Sequence, residues 1–308
     1  MKCYFALSDD VAENDEYYYM FMATINSARK NTSLELHCLY DFRKTYVSDI
    51  KKDRIYNLLK ESKVVIHNVS IDFEKELMEV YTDEYLKSIN VTRSSLYSRF
   101  LRFMIADIET NDECILYADT DILFYKDIEN INTKTIAVCP EFKKTNRYTY
   151  FNAGVMLINL NSYRKAKSNF IEMLRNKKHP SIECCDQGYL NDLYKNNFEK
   201  LDLKYNWKPY WGQNNEAIII HLHGIKPCVK LSKFNYGFEE WISALLHDNK
   251  NSKNGFYFYF SEFVKYTNNP ELMIPVITNL VTLIETQKPS YFSFINKCIR
   301  KIKKVLKI

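Results

Sequence analysis

The sequence lacks several features that would define its class at once. None of its eight cysteines forms a Cys-x-x-Cys pair, and the one adjacent pair, Cys184 and Cys185, does not match a zinc-binding pattern. No apolar run is long enough to span a bilayer, and no signal peptide precedes the strand-like residues 2–8. We therefore expect reduced, mostly buried thiols in a cytosolic protein.

Glycine is scarce, and so is net charge outside one segment. The chain has 308 residues but only six glycines, so a glycine within a motif needs a specific reason. The formal net charge is +5, yet residues 289–308 contain six lysine or arginine residues and no acidic residue. The rest of the chain is therefore close to neutral and shows no bias towards nucleic acid, and the basic tail needs its own explanation.

The apolar residues, 46% of the chain, recur in the pattern of an α/β protein. Strands predicted at 2–8, 34–40 and 63–69 are separated by helices predicted at 15–30 and 48–61. This β-α-β-α-β order predicts a mostly parallel central sheet flanked by helices. In such sheets, ligands bind beyond the carboxyl ends of the strands.

The pattern continues to about residue 235 and then becomes helical. Further strands are predicted at 113–118, 135–139, 153–160 and 217–222, and further helices at 93–108, 161–176, 185–195, 238–247, 257–266 and 269–287. We therefore divide the chain into an α/β domain (1–235), a helical C-terminal region (236–288) and a basic amphipathic tail helix (289–308).

Two aspartates follow the strand predicted at 113–118. Asp119 and Asp121 flank Thr120, and carboxylates spaced i and i+2 beyond a strand can turn towards one divalent cation that holds a diphosphate. The same spacing arises often by chance, and a polar turn would explain it equally well. The position at a strand end favours the metal site.

A histidine ends the strand predicted at 217–222. His221 is a candidate ligand for Mn²⁺, which accepts both nitrogen and oxygen, and His223 is its rival because strand alternation places it on the same side. Gly224 would let the backbone approach a phosphate, and Lys226 would supply a positive charge. Two structural histidines at a strand end are the alternative.

Four polar residues lie where a sugar could bind. Asn152 opens the strand predicted at 153–160 and suits a sugar hydroxyl, although a tight turn also explains it. Asp186 and Gln187 begin a predicted helix, where they could bind a sugar or Asp186 could cap the helix. Arg99 lies on a helix face rich in Phe and Leu and needs a carboxylate or a ligand oxygen as its partner.

In their order and spacing, these motifs resemble glycosyltransferase family 8, the group of glycogenin and bacterial lipopolysaccharide galactosyl- and glucosyltransferases. The resemblance covers roughly residues 2–230. It rests on an acidic turn at 8–10, Tyr-Ser-Arg-Phe at 97–100, Leu-Tyr-Ala-Asp-Thr-Asp-Ile-Leu at 116–123, Phe-Asn-Ala-Gly-Val-Met-Leu-Ile-Asn at 151–159, Asp-Gln-Gly-Tyr-Leu-Asn at 186–191, Tyr-Asn-Trp at 205–207 and His-x-x-Gly-x-Lys-Pro at 221–227.

The resemblance implies a GT-A fold, a UDP-sugar donor, Mn²⁺ (with Mg²⁺ as the alternative) and retention of anomeric configuration. It also implies roles for individual residues. By motif match, Asp119, Asp121 and His221 would bind the metal; Ala6, Leu7 and Asp9 (or Asp10) would hold the uridine; Arg99, Asn152, Asp186 and Gln187 would surround the donor sugar; and Gly224 and Lys226 would hold the diphosphate, with Thr120 as a further residue that binds the UDP-sugar.

We therefore expect a retaining enzyme that moves a hexose, glucose or galactose, from a UDP-sugar to a saccharide acceptor in bacterial cell-surface glycan synthesis, such as lipopolysaccharide or capsule. Two alternatives remain at this point. A nucleotide-sugar hydrolase would use the same donor and metal with water as the acceptor. A non-catalytic carbohydrate-binding protein could use the same fold without the chemistry.

The basic tail predicts contact with a membrane. Its apolar residues recur at helical spacing between 295 and 306, and its lysines and arginine occupy the other face. Such a helix lies in the interface of an anionic bilayer, although a C-terminal helix packed on its own domain would show the same pattern. We therefore expect a cytoplasmic protein, peripheral on the inner face of the cytoplasmic membrane, with a saccharide or lipid-linked saccharide as acceptor.

Overall fold

A computed structural model describes most of the α/β region and one helix beyond it. The described residues are 1–8, 14–41, 49–89, 91–129, 131–146, 148–182, 185–228, 250–267 and 269–272. Asp9 and Asp10, the helix predicted at 238–247 and the tail at 289–308 lie outside them, as does most of the helix predicted at 269–287.

Two β-sheets organise the described residues. The larger sheet has seven strands in the order β3-β2-β1-β4-β7-β6-β8, and the smaller sheet pairs β5 with β9. The strands are β1 (Lys2–Leu7), β2 (Glu35–Tyr40), β3 (Val65–Asn68), β4 (Cys114–Ala118), β5 (Ile122–Phe124), β6 (Ile136–Pro140), β7 (Phe151–Asn159), β8 (Glu199–Lys200) and β9 (Ile219–His221).

Helices surround the sheets. They are α1 (Asp15–Asn31), α2 (Asp49–Glu61), α3 (Glu74–Val80), α4 (Asp83–Ser88), α5 (Arg93–Phe100), α6 (Ile105–Ile108), α7 (Leu160–Arg175), α8 (Cys185–Leu193) and α9 (Lys250–Thr267). Short 3₁₀ turns lie at Leu101–Met104, Leu203–Tyr205, Pro209–Trp211 and Pro270–Leu272. Among the helices that the structure describes, none is both long and apolar enough to cross a bilayer.

The strand directions bring the ends of five strands to one edge of the sheet. β1 is parallel to β2 and β4, and β2 is parallel to β3, so their carboxyl ends share that edge. β7 runs antiparallel to β4, with Ala118 opposite Val155, so its first residues reach the same edge. All nine residues of β7 are buried, which is typical of a strand covered on both faces. The predicted mostly parallel sheet with flanking helices is confirmed.

Two sequence-based predictions of secondary structure need correction. The helix predicted at 93–108 is interrupted by the 3₁₀ turn Leu101–Met104, in which all four side chains are buried. The strand predicted at 217–222 is reduced to β9, which pairs with β5 outside the main sheet. Sequence patterns also missed the short helices α3 and α4.

Helix α9, which lies in the region predicted to be helical, packs on α1. The Asn26 side chain donates to the Tyr266 carbonyl at 2.7 Å, and the Asn31 side chain donates to the Tyr266 hydroxyl at 2.9 Å. Gly255 of α9 allows close approach to the preceding turn, because a Cβ there would lie 2.0 Å from the Pro209 carbonyl oxygen. The chain beyond the sheet therefore contributes to the same core as α1 and β5.

A pair of histidines couples β2 to β3. Nδ1 of His37 lies 2.9 Å from Nε2 of His67, and Nε2 of His37 lies 2.9 Å from Oε1 of Glu35. The ring of Tyr4 lies against His37 with a centroid distance of 4.7 Å. Burial lowers the pKa of both histidines, and the neighbouring charge of His37 further lowers the pKa of His67. The fold therefore favours the neutral pair.

We expect the thermal stability to fall as the pH is lowered from 7.5 towards 5. The pKa of each histidine is lower in the folded state than its ordinary value of 6.5, so the stabilisation is complete above about pH 6.5 and is lost as the pH falls through the lower, folded pKa. Each proton bound only on unfolding contributes about 1.4 kcal/mol per pH unit. Melting curves of the wild type and of His67→Gln measure the effect; equal pH slopes in the two proteins would contradict it.

Candidate active site

The small sheet brings two distant polar residues together. In the pairing of β5 with β9, Ile122 lies opposite His221, and the Leu222 amide donates to the Asp121 carbonyl at 2.9 Å. Asp119 follows β4 and its amide donates to the Gly154 carbonyl at 2.8 Å. β4, β5, β7 and β9 therefore converge at this edge.

Asp119, Asp121 and His221 form a cluster in which one ligand atom from each lies within 4.8 Å of the others. Nε2 of His221 lies 3.3 Å from Oδ1 of Asp121. The side chain of Asp119 is 31% exposed, whereas those of Asp121 and His221 are 12% and 3% exposed, so the cluster opens to solvent at Asp119. Two carboxylates and an imidazole at this separation fit a divalent cation such as Mn²⁺ or Mg²⁺.

The orientation of His221 suits a metal ligand. Its Nδ1 lies 3.2 Å from Oδ1 of Asn152 and 3.1 Å from Oδ1 of Asn206, both of which accept hydrogen bonds. Nδ1 therefore carries a proton, and Nε2, which lies 3.3 Å from Oδ1 of Asp121, is the ring nitrogen on the side where a cation would bind.

His223, the rival ligand, has other partners. Its Nε2 lies 3.1 Å from Oε1 of Glu141 and its Nδ1 lies 2.9 Å from the Tyr210 hydroxyl. Burial lowers the pKa of His223 to about 4, although Glu141 opposes this shift. In the part of the chain that the structure describes, the cluster of possible metal ligands contains His221 and not His223.

Gly154 on β7 allows this cluster to form. A Cβ at this position would lie 2.2 Å from Cε1 of His221, 2.8 Å from Nδ1 of His221 and 2.9 Å from Oδ2 of Asp119. Real Cβ atoms do not approach other heavy atoms closer than 3.0 Å without a shift. The glycine of the Asn-Ala-Gly sequence therefore gives His221 and Asp119 the room to meet.

Lys226 reaches the cluster through a turn. Gly224 has a φ of 87°, a backbone angle that favours glycine, and the chain turns back there. Nζ of Lys226 then donates to the Leu222 carbonyl at 2.9 Å and forms an ion pair with Oδ2 of Asp121. Burial alone would raise the pKa of the Asp121 carboxyl, but the charges of Lys226 and His221 hold it well below its usual value. Asp121 is therefore an ionised carboxylate in the fold.

Arg102 is a central residue that the sequence analysis missed. Its Nη2 lies 2.9 Å from Oδ1 of Asp119, its Nε lies 2.9 Å from Oδ2 of Asp186, and its Nη1 donates to the Ala153 carbonyl at 2.8 Å. The guanidinium also lies 4.3 Å from the centroid of the Tyr117 ring. An arginine between Leu101 and Phe103 was itself a signal, because a charged residue in an apolar run needs a partner.

The predicted sugar-binding residues border the same edge but differ in accessibility. Asp186 is buried; burial raises its pKa and Arg102 opposes the rise. Arg99 donates from Nη1 to Sγ of Cys185 at 3.2 Å. Gln187 is half-buried, and its Oε1 accepts from the Ala153 amide at 2.8 Å.

Asn152, predicted to contact a sugar hydroxyl, makes its hydrogen bonds within the protein. It is only 3% exposed, and its Oδ1 accepts from the Gly154 amide at 3.1 Å and from Nδ2 of Asn206 at 2.9 Å. Its Nδ2 donates to Oε2 of Glu141 at 2.8 Å. Both polar atoms are thus engaged within the protein, next to His221.

The residues predicted to hold the nucleotide lie at the ends of β1 and β4. Ala6 and Leu7 are the last residues of β1, and both are buried. The Thr120 carbonyl accepts from Oγ1 of Thr24 on α1 at 2.9 Å, and that hydroxyl also accepts from the Ile122 amide at 3.1 Å. Thr24 therefore fixes the turn between Asp119 and Asp121.

Comparisons with known proteins agree with this arrangement. The family model described as glycosyl transferase family 8 matches residues 11–227. Glycosyltransferase GlyA of Streptococcus pneumoniae serotype 4 is 30% identical over 165 residues, which are 47% of this chain and 23% of that protein. A putative glycosyltransferase of Haemophilus influenzae is 25% identical over 224 residues, covering 65% of this chain and 63% of that protein. The chain thus spans less than two thirds of either relative.

Solved structures share the fold. The apo form of glycosyltransferase GlyE of S. pneumoniae superposes with a TM-score of 0.54 at 16% identity, over 95% of this chain and 66% of that chain. A galactosyltransferase, LgtC, in complex with donor and acceptor sugar analogs gives a TM-score of 0.51 at 17% identity, over 81% of this chain and 96% of that chain. Since the family model covers more than half of the sequence, the chain belongs to glycosyltransferase family 8, and its fold is of the GT-A type.

Proposed function

We propose that this protein is a metal-dependent, retaining glycosyltransferase, and that it transfers a hexose, glucose or galactose, from a UDP-sugar to a saccharide acceptor. The observation that carries the proposal is the cluster of Asp119, Asp121 and His221, with Lys226 beside it, at the carboxyl edge of the sheet. The donor class follows the resemblance to the family, and the mechanism follows the chemistry of the side chains.

In this proposal, Asp119, Asp121 and His221 hold Mn²⁺ or Mg²⁺, which when bound stabilises the negative charge that develops on the departing diphosphate. Lys226 is near enough to add a second positive charge, and the turn at Gly224 brings the backbone towards the phosphates. Ala6, Leu7, Asp9 and Thr120 bind the nucleotide.

The sugar binds between Arg99, Asp186 and Gln187, and Asn152 acts through His221. Retention requires either a protein nucleophile or attack from the face that the leaving group vacates. Asp186 is a poor nucleophile because Arg102 lies 2.9 Å from its Oδ2, and the amide of Gln187 is weakly nucleophilic. We favour same-face attack: the C1–O bond to the diphosphate breaks, the acceptor oxygen bonds to C1, and its proton passes to the leaving phosphate oxygen.

A donor screen tests this proposal. UDP release is measured with a panel of nucleotide sugars, with Mn²⁺, with Mg²⁺ and with a chelator, in the presence and absence of saccharide acceptors. We expect release from UDP-glucose or UDP-galactose that needs the cation and increases with an acceptor. Release that no acceptor stimulates would indicate a hydrolase instead, and absence of cation-dependent UDP binding by calorimetry would indicate a non-catalytic carbohydrate-binding protein.

We also propose that the enzyme acts in bacterial surface glycan synthesis at the inner face of the cytoplasmic membrane, on a saccharide or lipid-linked saccharide acceptor. The support is the sequence of the basic tail, residues 289–308. Interfacial helices of this composition bind anionic lipid, and each lysine or arginine near the surface contributes about 1 kcal/mol.

Deleting residues 290–308 is therefore expected to lower the partition of the protein onto phosphatidylglycerol vesicles by about 100-fold or more, because six positive charges are lost. Liposome flotation measures this, with phosphatidylcholine vesicles as the neutral control. A full-length variant in which the six basic residues of the tail are replaced by Gln separates charge from apolar contact. Equal flotation of the full and truncated chains would refute the membrane role.

A further inference from the structure

Strand β5 has a different neighbour on each of its two edges. Along one edge it pairs with β9, where the Asp121 carbonyl accepts from the Leu222 amide at 2.9 Å and the Tyr125 amide donates to the Ile218 carbonyl at 2.8 Å. Backbone groups alternate in direction along a strand, so those of residues 120, 122 and 124 point to the other edge. That edge lies against helix α1, whose interior backbone groups are engaged within the helix, so its side chains must supply the partners.

Thr24 of α1 binds the backbone on both sides of Asp121. Its hydroxyl accepts from the Ile122 amide at 3.1 Å and donates to the Thr120 carbonyl at 2.9 Å, and it also lies 3.1 Å from the Met20 carbonyl of its own helix. Thr24 and Ile122 are both fully buried. Because a buried amide without an acceptor is costly, the Ile122 amide relies on this hydroxyl.

Ser27 and Asn31 continue the pattern at the far end of β5. Oγ of Ser27 accepts from the Phe124 amide at 3.0 Å, and Nδ2 of Asn31 donates to the Phe124 carbonyl at 2.6 Å. Positions 24, 27 and 31 are spaced i, i+3 and i+7, which places them on one face of a helix. This polar stripe of α1 (Thr24, Ser27 and Asn31) does for the second edge of β5 what another strand would do.

The polar stripe affects the candidate metal site because Asp119 and Asp121 are held by different sheets. The Asp119 amide donates to the Gly154 carbonyl of the main sheet at 2.8 Å, whereas the Asp121 carbonyl accepts from Leu222 beside the small sheet. The separation of the two carboxylates therefore depends on where β5 lies relative to the main sheet. Thr24 controls that position most directly, because its two bonds flank Asp121.

We infer that Thr24 is a positioning residue that, by holding the backbone at Thr120 and Ile122, keeps the Asp121 carboxylate at the distance from Asp119 that one cation requires. The inference rests on the proposed function, in which both carboxylates bind the cation. Residues that support a metal ligand typically change metal affinity by about 10- to 100-fold. Since Thr24 acts through the backbone, we expect the lower end of that range.

The substitution that tests this is Thr24→Val, which keeps the shape of the side chain but removes the hydroxyl. Amide hydrogen exchange resolved to single residues, in the metal-free protein, reports how firmly Ile122 is held, and Mn²⁺ titration followed by electron paramagnetic resonance reports the affinity. We expect the Ile122 amide to exchange about 10-fold faster and Mn²⁺ to bind about 10-fold more weakly. Thr24→Ser keeps the hydroxyl and should restore both.

Two further substitutions separate positioning from a general loss of stability. Ser27→Ala removes the acceptor of the Phe124 amide, so that amide should exchange faster, while the Mn²⁺ affinity should change by less than about threefold because Phe124 is farther from Asp121. The matched control is Thr267→Val in α9, where an equally buried hydroxyl donates to the Val264 carbonyl at 2.8 Å. It should change neither the exchange of the Ile122 amide nor the affinity.

If Thr24→Val does not fold, Thr24→Ala serves the same purpose, because it also removes the hydroxyl. An Mn²⁺ affinity within about twofold of the wild type in the folded variant, or an equal loss in the Thr24 and Ser27 variants, would overturn the inference and leave the proposed function standing. Failure of the wild type to bind Mn²⁺ or Mg²⁺ would instead remove the proposed function and, with it, the inference.

Discussion

Replacing Asp121 with asparagine is expected to lower the rate of sugar transfer by about 10³-fold. This loss exceeds the 10- to 100-fold effect that is typical of residues that only hydrogen-bond to a metal-binding side chain. Asp121 lies between two groups that need its charge, with Nε2 of His221 at 3.3 Å from Oδ1 and Nζ of Lys226 at Oδ2. An amide offers one oxygen and directs two N–H groups at either the cation or Lys226. Rates at saturating donor and Mn²⁺ measure this loss.

Stability is the main confounder of this substitution. Removing one partner of a fully buried ion pair costs about 3–5 kcal/mol, and the cost here should be smaller because the side chain of Lys226 is 19% exposed. Thermal melting and an Mn²⁺ titration of the folded protein therefore accompany the kinetics. The matched control is Asp127→Asn, at an exposed carboxylate that accepts from the Ser33 amide, which should leave transfer unchanged. Full activity of Asp121→Asn at saturating Mn²⁺ would refute a role for Asp121 in metal binding.

The second large effect is expected for Gly154→Ala. The added methyl group would lie 2.2 Å from Cε1 of His221 and 2.9 Å from Oδ2 of Asp119, so one or both side chains must leave their positions. Overpacking of this kind typically costs about 1–3 kcal/mol of stability. Because the displaced groups are the proposed ligands, we expect Mn²⁺ affinity to fall by at least 100-fold. Replacing a residue that only hydrogen-bonds to a metal ligand typically lowers the affinity by 10- to 100-fold.

Gly255→Ala distinguishes a local effect from general overpacking. Its methyl group would lie 2.0 Å from the Pro209 carbonyl oxygen, away from the cluster, so it should lower the melting temperature without changing the Mn²⁺ affinity of the folded protein. Calorimetric titration with Mn²⁺ and melting curves of both variants make the comparison. If Gly154→Ala binds Mn²⁺ as the wild type does, the tight approach of β7 to His221 is not required for the site.

The sequence predicted the sheet and the three clustered side chains because each signal was local. A buried strand that ends in Asp119 and another that ends in His221 are visible as apolar runs followed by a polar residue. Strand ends in one sheet meet at one edge, which suggested convergence, although His221 reaches Asp119 through β9, which pairs with β5 outside the main sheet.

The partners of these residues could not be predicted in the same way. Arg102 and Arg99 both lie in an apolar segment, and the sequence alone does not tell that Arg102, in a 3₁₀ turn, contacts Asp119 and Asp186. Glu141 follows a strand like many surface glutamates, and its burial depends on His223, from a segment 82 residues away. Such contacts depend on the tertiary fold, which local periodicity does not encode.

The ion pair between Lys226 and Asp121 has a consequence for ligand binding. In the free protein, the lysine ammonium neutralises the charge that a divalent cation would neutralise, so the two compete for one carboxylate. A nucleotide diphosphate that attracts the ammonium group would relieve this competition. Cation and nucleotide should then bind with positive thermodynamic coupling, each raising the affinity of the other by the same factor.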